Sequence, residues 1–237
     1  MNRIKLPENL SGKKIISFSL YGGDPLYTIG AIKNAKLAKI YFPEWIVVIF
    51  HDYSVSEDIL SQLKDLNVEL INVDWNQGLG RFWRFIPASE NVEYFISRDT
   101  DSRLFERDRV AVDEWIESGK SFHIIREHPI GHHWDMNAGM WGCKGNSIND
   151  IQSDILNYSK NFGKFTDQYF LSDVVYPIAV KNSLVHDEFC NYPNENKTNI
   201  KRDRALDDFS IIGEVFNHED IPMGDQRTPI INLYNNK

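Results

Sequence analysis

The stretch EWIVVIFHD, residues 44–52, is apolar at consecutive positions from Trp45 to Phe50 and ends in His51 and Asp52. Strand side chains alternate between the faces of a sheet, so a run with no polar alternate must be covered on both faces. That requires a central, parallel strand with helices above and below it. The neighbouring segments supply the rest. KKIISFSLYG reads as a preceding strand broken by Gly22-Gly23, and a helix is predicted over Pro25 to Tyr41, stopped by Pro43. Ser54 and Glu57 have capping-box spacing, and Ile59, Leu60, Leu63 and Leu66 give the following helix one apolar face. VELINVDW and VEYFISRDTD read as further strands.

The alternation continues. Val112, Trp115 and Ile116 mark a helix, SFHIIRE a strand, and Ile148, Ile151 and Ile155 another helix. Phe170, Leu171, Val174 and Val175 mark a helix starting near Thr166 and ended by Pro177. The pattern predicts an α/β domain with a mostly parallel central sheet flanked by helices. The expected organisation is a single domain over residues 1–237, with an N-terminal extension at 1–13 and a C-terminal segment at 209–237. Residues 191–208, NYPNENKTNIKRDRALDD, are polar and weakly periodic and read as a mobile loop, after which FSIIGEVF reads as a returning strand.

Charge narrows the function. The chain carries 26 Lys and Arg against 34 Asp and Glu, a formal net charge of -8 with no basic stripe, so no nucleic-acid partner is expected. An anionic ligand would need local cations or a metal. Cys143 and Cys190 form no CxxC pair, which fits a reducing compartment. No apolar run approaches the ~20 residues of a membrane span, and MNRIKLPENLSGKK lacks the apolar core of a signal peptide. A cytoplasmic protein is expected, with peripheral membrane contact left open.

In open α/β sheets ligands bind at the carboxyl ends of strands. Three such ends are unusual here: Tyr21-Gly22-Gly23, His51-Asp52 and Asp99-Thr100-Asp101. On extended chain Asp99 and Asp101 would project to one side, offering two oxygen ligands to a hard cation such as Mg²⁺ or Mn²⁺ that also binds phosphate. Arg98 and Arg103 either orient these acids or make ordinary surface pairs. Gly139 in Asn137-Ala138-Gly139 reads as a strand position of close backbone approach, or as a bulge. Thr166 is a suitable N-cap, placing Asp167 and Gln168 in a first helical turn. His186, at the end of an apolar run, is either structural or a further ligand of a carboxylate metal site.

Other motifs carry less. Pro129 and Gly131 within REHPIGHHWD break the helix on which a zinc-hydrolase motif presents its ligands. A loop over a binding site, with Trp134 as a stacking platform, fits that stretch better. GLGRFW lacks the third glycine of GxGxxG, and no phosphate-binding GxxxxGK[ST] exists.

The order of motifs resembles the GT-A glycosyltransferases: an apolar strand ending in Asp-x-Asp, then Asn-Ala-Gly, Asp-Gln opening a helix, and a later His. It is most similar to the retaining enzymes of the glycogenin and bacterial lipopolysaccharide galactosyltransferase kind, over roughly Lys14 to Asp187. The resemblance implies a Rossmann-like GT-A domain and a nucleotide-sugar donor, with a UDP-sugar favoured, whose diphosphate sits on Mn²⁺ or Mg²⁺. It implies Asp99 and Asp101 at the metal and donor ribose, with His186 as third metal ligand. Tyr21, Gly22 and Asp52 would line the base pocket, and Asn137, Asp167 and Gln168 would face the transferred sugar. Arg81 and Arg84 are further donor-binding candidates.

Relatives of that kind follow the His with a Gly and a diphosphate-binding Lys, which HDEFCNYP lacks; Lys197, Lys201, Arg202 or Arg227 are alternative substitutes from the polar C-terminal segment, and nothing in the sequence picks one. The implied activity is transfer of a sugar to a glycan or lipid-linked glycan acceptor, in bacterial surface polysaccharide synthesis. The alternatives are a sugar-nucleotide nucleotidyltransferase, for which YGGDPLY lacks the basic signature, and a non-catalytic glycan-binding protein.

Overall fold

A computed structural model of the chain describes residues 2–75, 77–158, 163, 165–200 and 209–235. Strands β1 (Lys14–Leu20), β2 (Ile46–His51) and β3 (Glu69–Asn72) alternate with helices α1 (Pro25–Tyr41) and α2 (Glu57–Asp65). A 3₁₀ segment, Gln77–Ser89, then leads to β4 (Tyr94–Ser97), α3 (Glu106–Glu117), β5 (Phe122–Arg126) and β6 (Trp141–Lys144). Helix α4 (Ile151–Tyr158) precedes α5 (Thr166–Phe170), a π-helical turn over Leu171–Val175 and α6 (Tyr176–Ala179). Strands β7 (Ser183–Asp187) and β8 (Lys197–Thr198) and helix α7 (Thr228–Asn235) follow.

Among the described residues, eight strands form one sheet in the order β3-β2-β1-β4-β6-β5-β7-β8. Every pairing is parallel except the two made by β6, with β4 and with β5. The α/β class with a mostly parallel sheet flanked by helices matches the expectation.

The consecutive apolar residues of β1 and β2 are sorted by face. Ile16, Phe18, Val47 and Ile49 pack with α1, α2 and α3 through residues such as Ile32, Leu63 and Trp115. Ile15, Val48 and Phe50 join the opposite cluster, with Phe82, Phe85 and Trp141. Both faces of the central strands are therefore dry, as EWIVVIFHD required. Among the described residues no helix is long and apolar enough to cross a membrane.

Several local expectations are corrected. Strand β4 stops at Ser97, and Asp99-Thr100-Asp101 lies in a turn closed by Ser102 N–H donating to the Asp99 carbonyl at 3.3 Å. Ser54 does not cap α2, which follows Ser56; its hydroxyl donates to Asp52 instead. Asn137-Ala138-Gly139 is a turn before β6, with Met140 N–H donating to the Asn137 carbonyl at 3.0 Å. Phe165 occupies the N-cap position of α5, while the Thr166 hydroxyl bonds back to the Gly163 carbonyl at 2.6 Å.

Pro177 does not end the helical run. The π turn before α6 absorbs it, and Pro177 sits in the first turn of α6, where a missing N–H costs little. FSIIGEVF forms no strand beyond an isolated bridge from Phe216 to Pro222. Within the expected loop, Lys197–Thr198 pairs with β7, and residues 201–208 lie outside the described residues.

Candidate active site

A cavity of about 580 Å³ opens beyond the carboxyl ends of β1 and β4. Strand β1 contributes Ser19, and the loop after it contributes Tyr21, Gly22, Gly23 and Asp24. The 3₁₀ segment supplies Arg81 and Arg84, the turn after β4 supplies Asp99, Thr100 and Asp101, and α5 supplies Asp167 and Gln168. Tyr27 of α1, Phe165 and Val215 complete the wall.

Each group is held by specific neighbours. The Arg84 guanidinium is nearly buried and spans two acids, donating from Nη1 to Asp99 and from Nη2 to Asp167 at 3.2 Å. Its backbone N–H donates to the Ser19 hydroxyl at 3.0 Å, tying the segment to β1. Ala138 N–H donates to Gln168 Oε1 at 3.1 Å, and the Ser97 hydroxyl donates to the Ala138 carbonyl at 2.7 Å, so the Asn-Ala-Gly turn joins α5 to β4. Gly139 lies against Asp99, where a Cβ would fall 1.9 Å from Oδ2. The sequence-predicted close approach at this glycine is thus an approach to an acid of the cavity.

Asp101 is anchored through its backbone. Its carbonyl accepts from Phe216 N–H at 2.8 Å. Behind that contact, Asp220 accepts from Arg103 Nε at 2.8 Å and from Lys33 Nζ at 2.5 Å, pinning the 215–220 segment beside the turn.

The cavity lining holds four carboxylates, Asp24, Asp99, Asp101 and Asp167, against two guanidiniums, Arg81 and Arg84. Burial and the adjacent Asp99 charge push the Asp101 carboxyl up to about 6. Burial also raises Asp167, against the lowering pull of Arg84. Tyr27 is raised, first by burial and then by Asp101. Two crowded carboxylates, one of them reluctant to ionise, fit a hard divalent cation, which would relieve their repulsion. Among the described residues no three His, Cys, Asp or Glu side chains gather to hold a metal. Such a cation would take two protein ligands from the Asp99–Asp101 pair, with phosphate oxygens and water completing its shell.

No family model and no curated protein matches the chain. Solved structures with similar backbones include a glycosyltransferase involved in glycosylation of the major capsid of PBCV-1, at 13% identity over 74% of this chain and 81% of that chain, TM-score 0.46. A mannosyltransferase from Pyrobaculum calidifontis, in complex with GDP-Man and Mn²⁺, has 9% identity over 82% of this chain and 59% of that chain, TM-score 0.45. A 4-diphosphocytidyl-2C-methyl-D-erythritol synthase from Anaerococcus prevotii has 12% identity over 97% of this chain and 98% of that chain, TM-score 0.41. At such scores none of these likenesses carries a functional reading, which rests on the side chains of the cavity.

Of the residues singled out in the sequence, Tyr21, Gly22, Arg81, Arg84, Asp99, Asp101, Asp167 and Gln168 meet in this cavity. Asp52 does not line it. It is buried, and the Ser54 hydroxyl that donates to Asp52 accepts from Gly22 N–H at 2.6 Å, so Asp52 acts one step behind the loop. Asn137 is buried in its turn behind the wall.

His186 is the clear correction to the expected metal set. It lies on β7, three strands from β4, or roughly 14 Å of sheet. Its Nδ1 pairs with His123 Nε2 at 2.8 Å and its Nε2 with Glu114 at 2.9 Å, so both ring nitrogens are engaged. Neither flanking arginine hydrogen-bonds the acid pair's carboxylates, though Arg103 Nη1 donates to the Thr100 and Ser102 carbonyls of their turn at 3.3 and 2.8 Å. Arg98 is buried in a two-pronged bond to Asp108, and Arg103 turns to Asp220. Lys197 binds the Cys190 carbonyl and Asn191, Arg227 pairs with Glu214, and Lys201 and Arg202 lie outside the described residues.

Ser19, Asp24, Tyr27, Thr100, Phe165 and Val215 also line the wall without belonging to the residues singled out above. For Tyr27 a signal existed. Tyr27 lies in the first turn of the helix that follows β1, next to the strand end where ligands of such sheets bind. Asp24 accepts from Leu26 N–H at 2.9 Å as the cap of that helix, which a local reading explains fully.

Proposed function

We propose that the chain is a metal-dependent glycosyltransferase of the GT-A type, moving a hexosyl group from a nucleotide sugar to a glycan acceptor. The observation that carries this reading is the Asp99–Asp101 pair in a cavity where acids outnumber bases four to two. A diphosphate entering alone would meet surplus negative charge. Asp99 and Asp101 would hold Mn²⁺ or Mg²⁺, which when bound neutralises charge on the leaving diphosphate.

Arg84 and Arg81 are the chain's own cations at this cavity, and Arg84 also holds Asp99 in place. Asp167, anchored to Arg84 at 3.2 Å, suits stabilisation of positive charge developing on the transferred sugar better than free movement as a base. Retention of anomeric configuration is favoured on the resemblance of the Asp167-Gln168 motif to the retaining branch. On this reading the acceptor oxygen bonds to the anomeric carbon as its bond to the diphosphate oxygen breaks. The electron pair leaves with the nucleoside diphosphate, and the hydroxyl proton passes to the departing phosphate oxygen.

A UDP-sugar is the favoured donor and a bacterial surface polysaccharide the favoured product, both on the motif resemblance. The free thiols of Cys143 and Cys190 agree with work in a reducing compartment such as the cytoplasm. The test is nucleotide release from UDP-, GDP- and CMP-sugars with and without Mn²⁺. Metal-dependent release that disappears in Asp101→Ala supports the reading, and no release or binding with any donor overturns it. Pyrophosphate released from a nucleoside triphosphate and a sugar phosphate would move the chain to the nucleotidyltransferases.

A further inference from the structure

We propose that Trp134, Phe165 and Tyr169 form the acceptor subsite, a ledge that receives one pyranose ring of a carbohydrate beside Asp167. This rests on the glycosyltransferase reading and extends it to the second substrate. The first observation is backbone strain. Phe165 has φ 70° and ψ 12°, the left-handed region, where a bulky side chain is an outlier. Core burial does not compensate it, because Phe165 is 47% exposed and lines the cavity. Strain of this kind clusters where a site needs it.

The second observation is the arrangement of rings. Tyr169 follows Phe165 by four residues, which sets both on one face of the α5 turn, and it is 51% exposed. The Trp134 ring stands 5.0 Å from Tyr169 at 88° and 6.4 Å from Phe165 at 36°. The three rings therefore make an angled corner. A pyranose ring has one face of C–H bonds about the size of a single aromatic ring, with hydroxyls around its rim. A corner of this size fits that face, whereas an acyl chain needs a longer apolar track.

The ledge is also fixed to the reacting end of the cavity. Phe165 and Asp167 both line the cavity, and Gln168 bonds the Asn-Ala-Gly turn that follows Trp134. Polar bonds hold the loop beneath Trp134 at both sides. Asp135 accepts from the Ser172 hydroxyl at 2.5 Å, and the His133 carbonyl accepts from the Tyr192 hydroxyl. An acceptor ring stacked there would present its rim hydroxyls toward Asp167.

Trp134 supplies its own probe. Trp45, Trp75, Trp83, Trp115 and Trp141 are buried, so acrylamide quenching of tryptophan fluorescence reports chiefly on half-buried Trp134. The saccharides are the methyl glycosides of glucose, galactose and mannose, with lactose and maltose, each with and without UDP or GDP plus Mn²⁺. At least one should protect Trp134 from quenching. Tyr169→Ala, outside the cavity lining, should weaken that protection about three- to tenfold, the loss of one ring contact, with nucleotide binding unchanged, and Phe165→Gly should weaken it by a similar factor. Glycine at residue 165 accepts the left-handed backbone, so that variant keeps its fold. Nucleotide binding with no saccharide protection would remove the ledge and leave the donor reading intact. Protection unchanged in both variants would also overturn the proposal. Saccharide protection without any nucleotide binding would support the ledge and count against the donor site.

Discussion

Gly139 touches Asp99 so closely that a methyl group in its place would lie 1.9 Å from Oδ2 and 2.5 Å from the carboxyl carbon. Gly139→Ala should therefore displace the Asp99 carboxylate and weaken Mn²⁺ binding at least about tenfold, while strands and helices persist. Calorimetry with Mn²⁺ and a nucleotide, beside far-UV circular dichroism, separates the two effects. Unchanged metal affinity would mean that Asp99 does not ligate.

Asp101 gives a pH signature. Its carboxyl is raised from an ordinary 3.8 to about 6. The protonated form is thus the one the fold prefers, and its contribution to stability is full below pH ~4 and lost as pH rises through ~6. Asp101→Asn should leave stability in acid unchanged and raise it at pH 7.5 by about 1–2 kcal/mol, a two-unit shift discounted for partial exposure. Metal binding should run the other way. Proton competition should weaken Mn²⁺ affinity of the wild type about tenfold per pH unit below ~6. Urea titrations and metal titrations across pH 4 to 8 read both.

Arg84 bridges Asp99 and Asp167 with separate guanidinium nitrogens. A lysine keeps the charge without the fork, so Arg84→Lys should retain part of the stability yet lose the paired orientation. Arg84→Ala should cost about 3–5 kcal/mol, as expected when one member of a buried ionic cluster is removed. Thermal unfolding ranks the two variants, and donor hydrolysis by Arg84→Lys should fall at least about tenfold. A lysine variant with wild-type turnover would assign Arg84 a purely structural part.

His186 should leave metal affinity untouched. Burial lowers both His123 and His186, so the folded state holds them neutral. That stability is present above the ordinary imidazole value near 6.5 and is lost as pH falls below it. His186→Leu should bind Mn²⁺ with wild-type affinity but lose about 1–3 kcal/mol at neutral pH through the unsatisfied His123. It should also show a shallower loss of stability between about pH 6.5 and 5. A weakened metal site in this variant would restore His186 to the ligand set.

The fold was legible because its signals are local. The apolar run from Trp45 to Phe50 demanded two covered faces, and the helix read over Pro25 to Tyr41 is the helix observed. Half of the site was legible for a similar reason, since Asp99 and Asp101 follow an apolar strand directly. What stayed hidden was pairing across long sequence separations. Nothing near Arg98 distinguishes it from Arg84, yet one is locked to Asp108 and the other reaches Asp167, 83 residues away. His186 looked like a ligand because its type and place in the chain suited one, and only the three-dimensional partner His123 reveals its other employment. Pro177 misled because the π turn before it is invisible to a 3.6-residue period.

The hydrogen bond from Phe216 to the Asp101 carbonyl sets the order in which this protein can become competent. Among the described residues every strand of the sheet is complete by Thr198, so the sheet does not wait for the segment that follows. The turn bearing the acid pair acquires its clamp only when Phe216 arrives, and its outer brace only with Asp220. A chain folded through Thr198 would therefore still lack the brace that fixes the turn carrying Asp99 and Asp101.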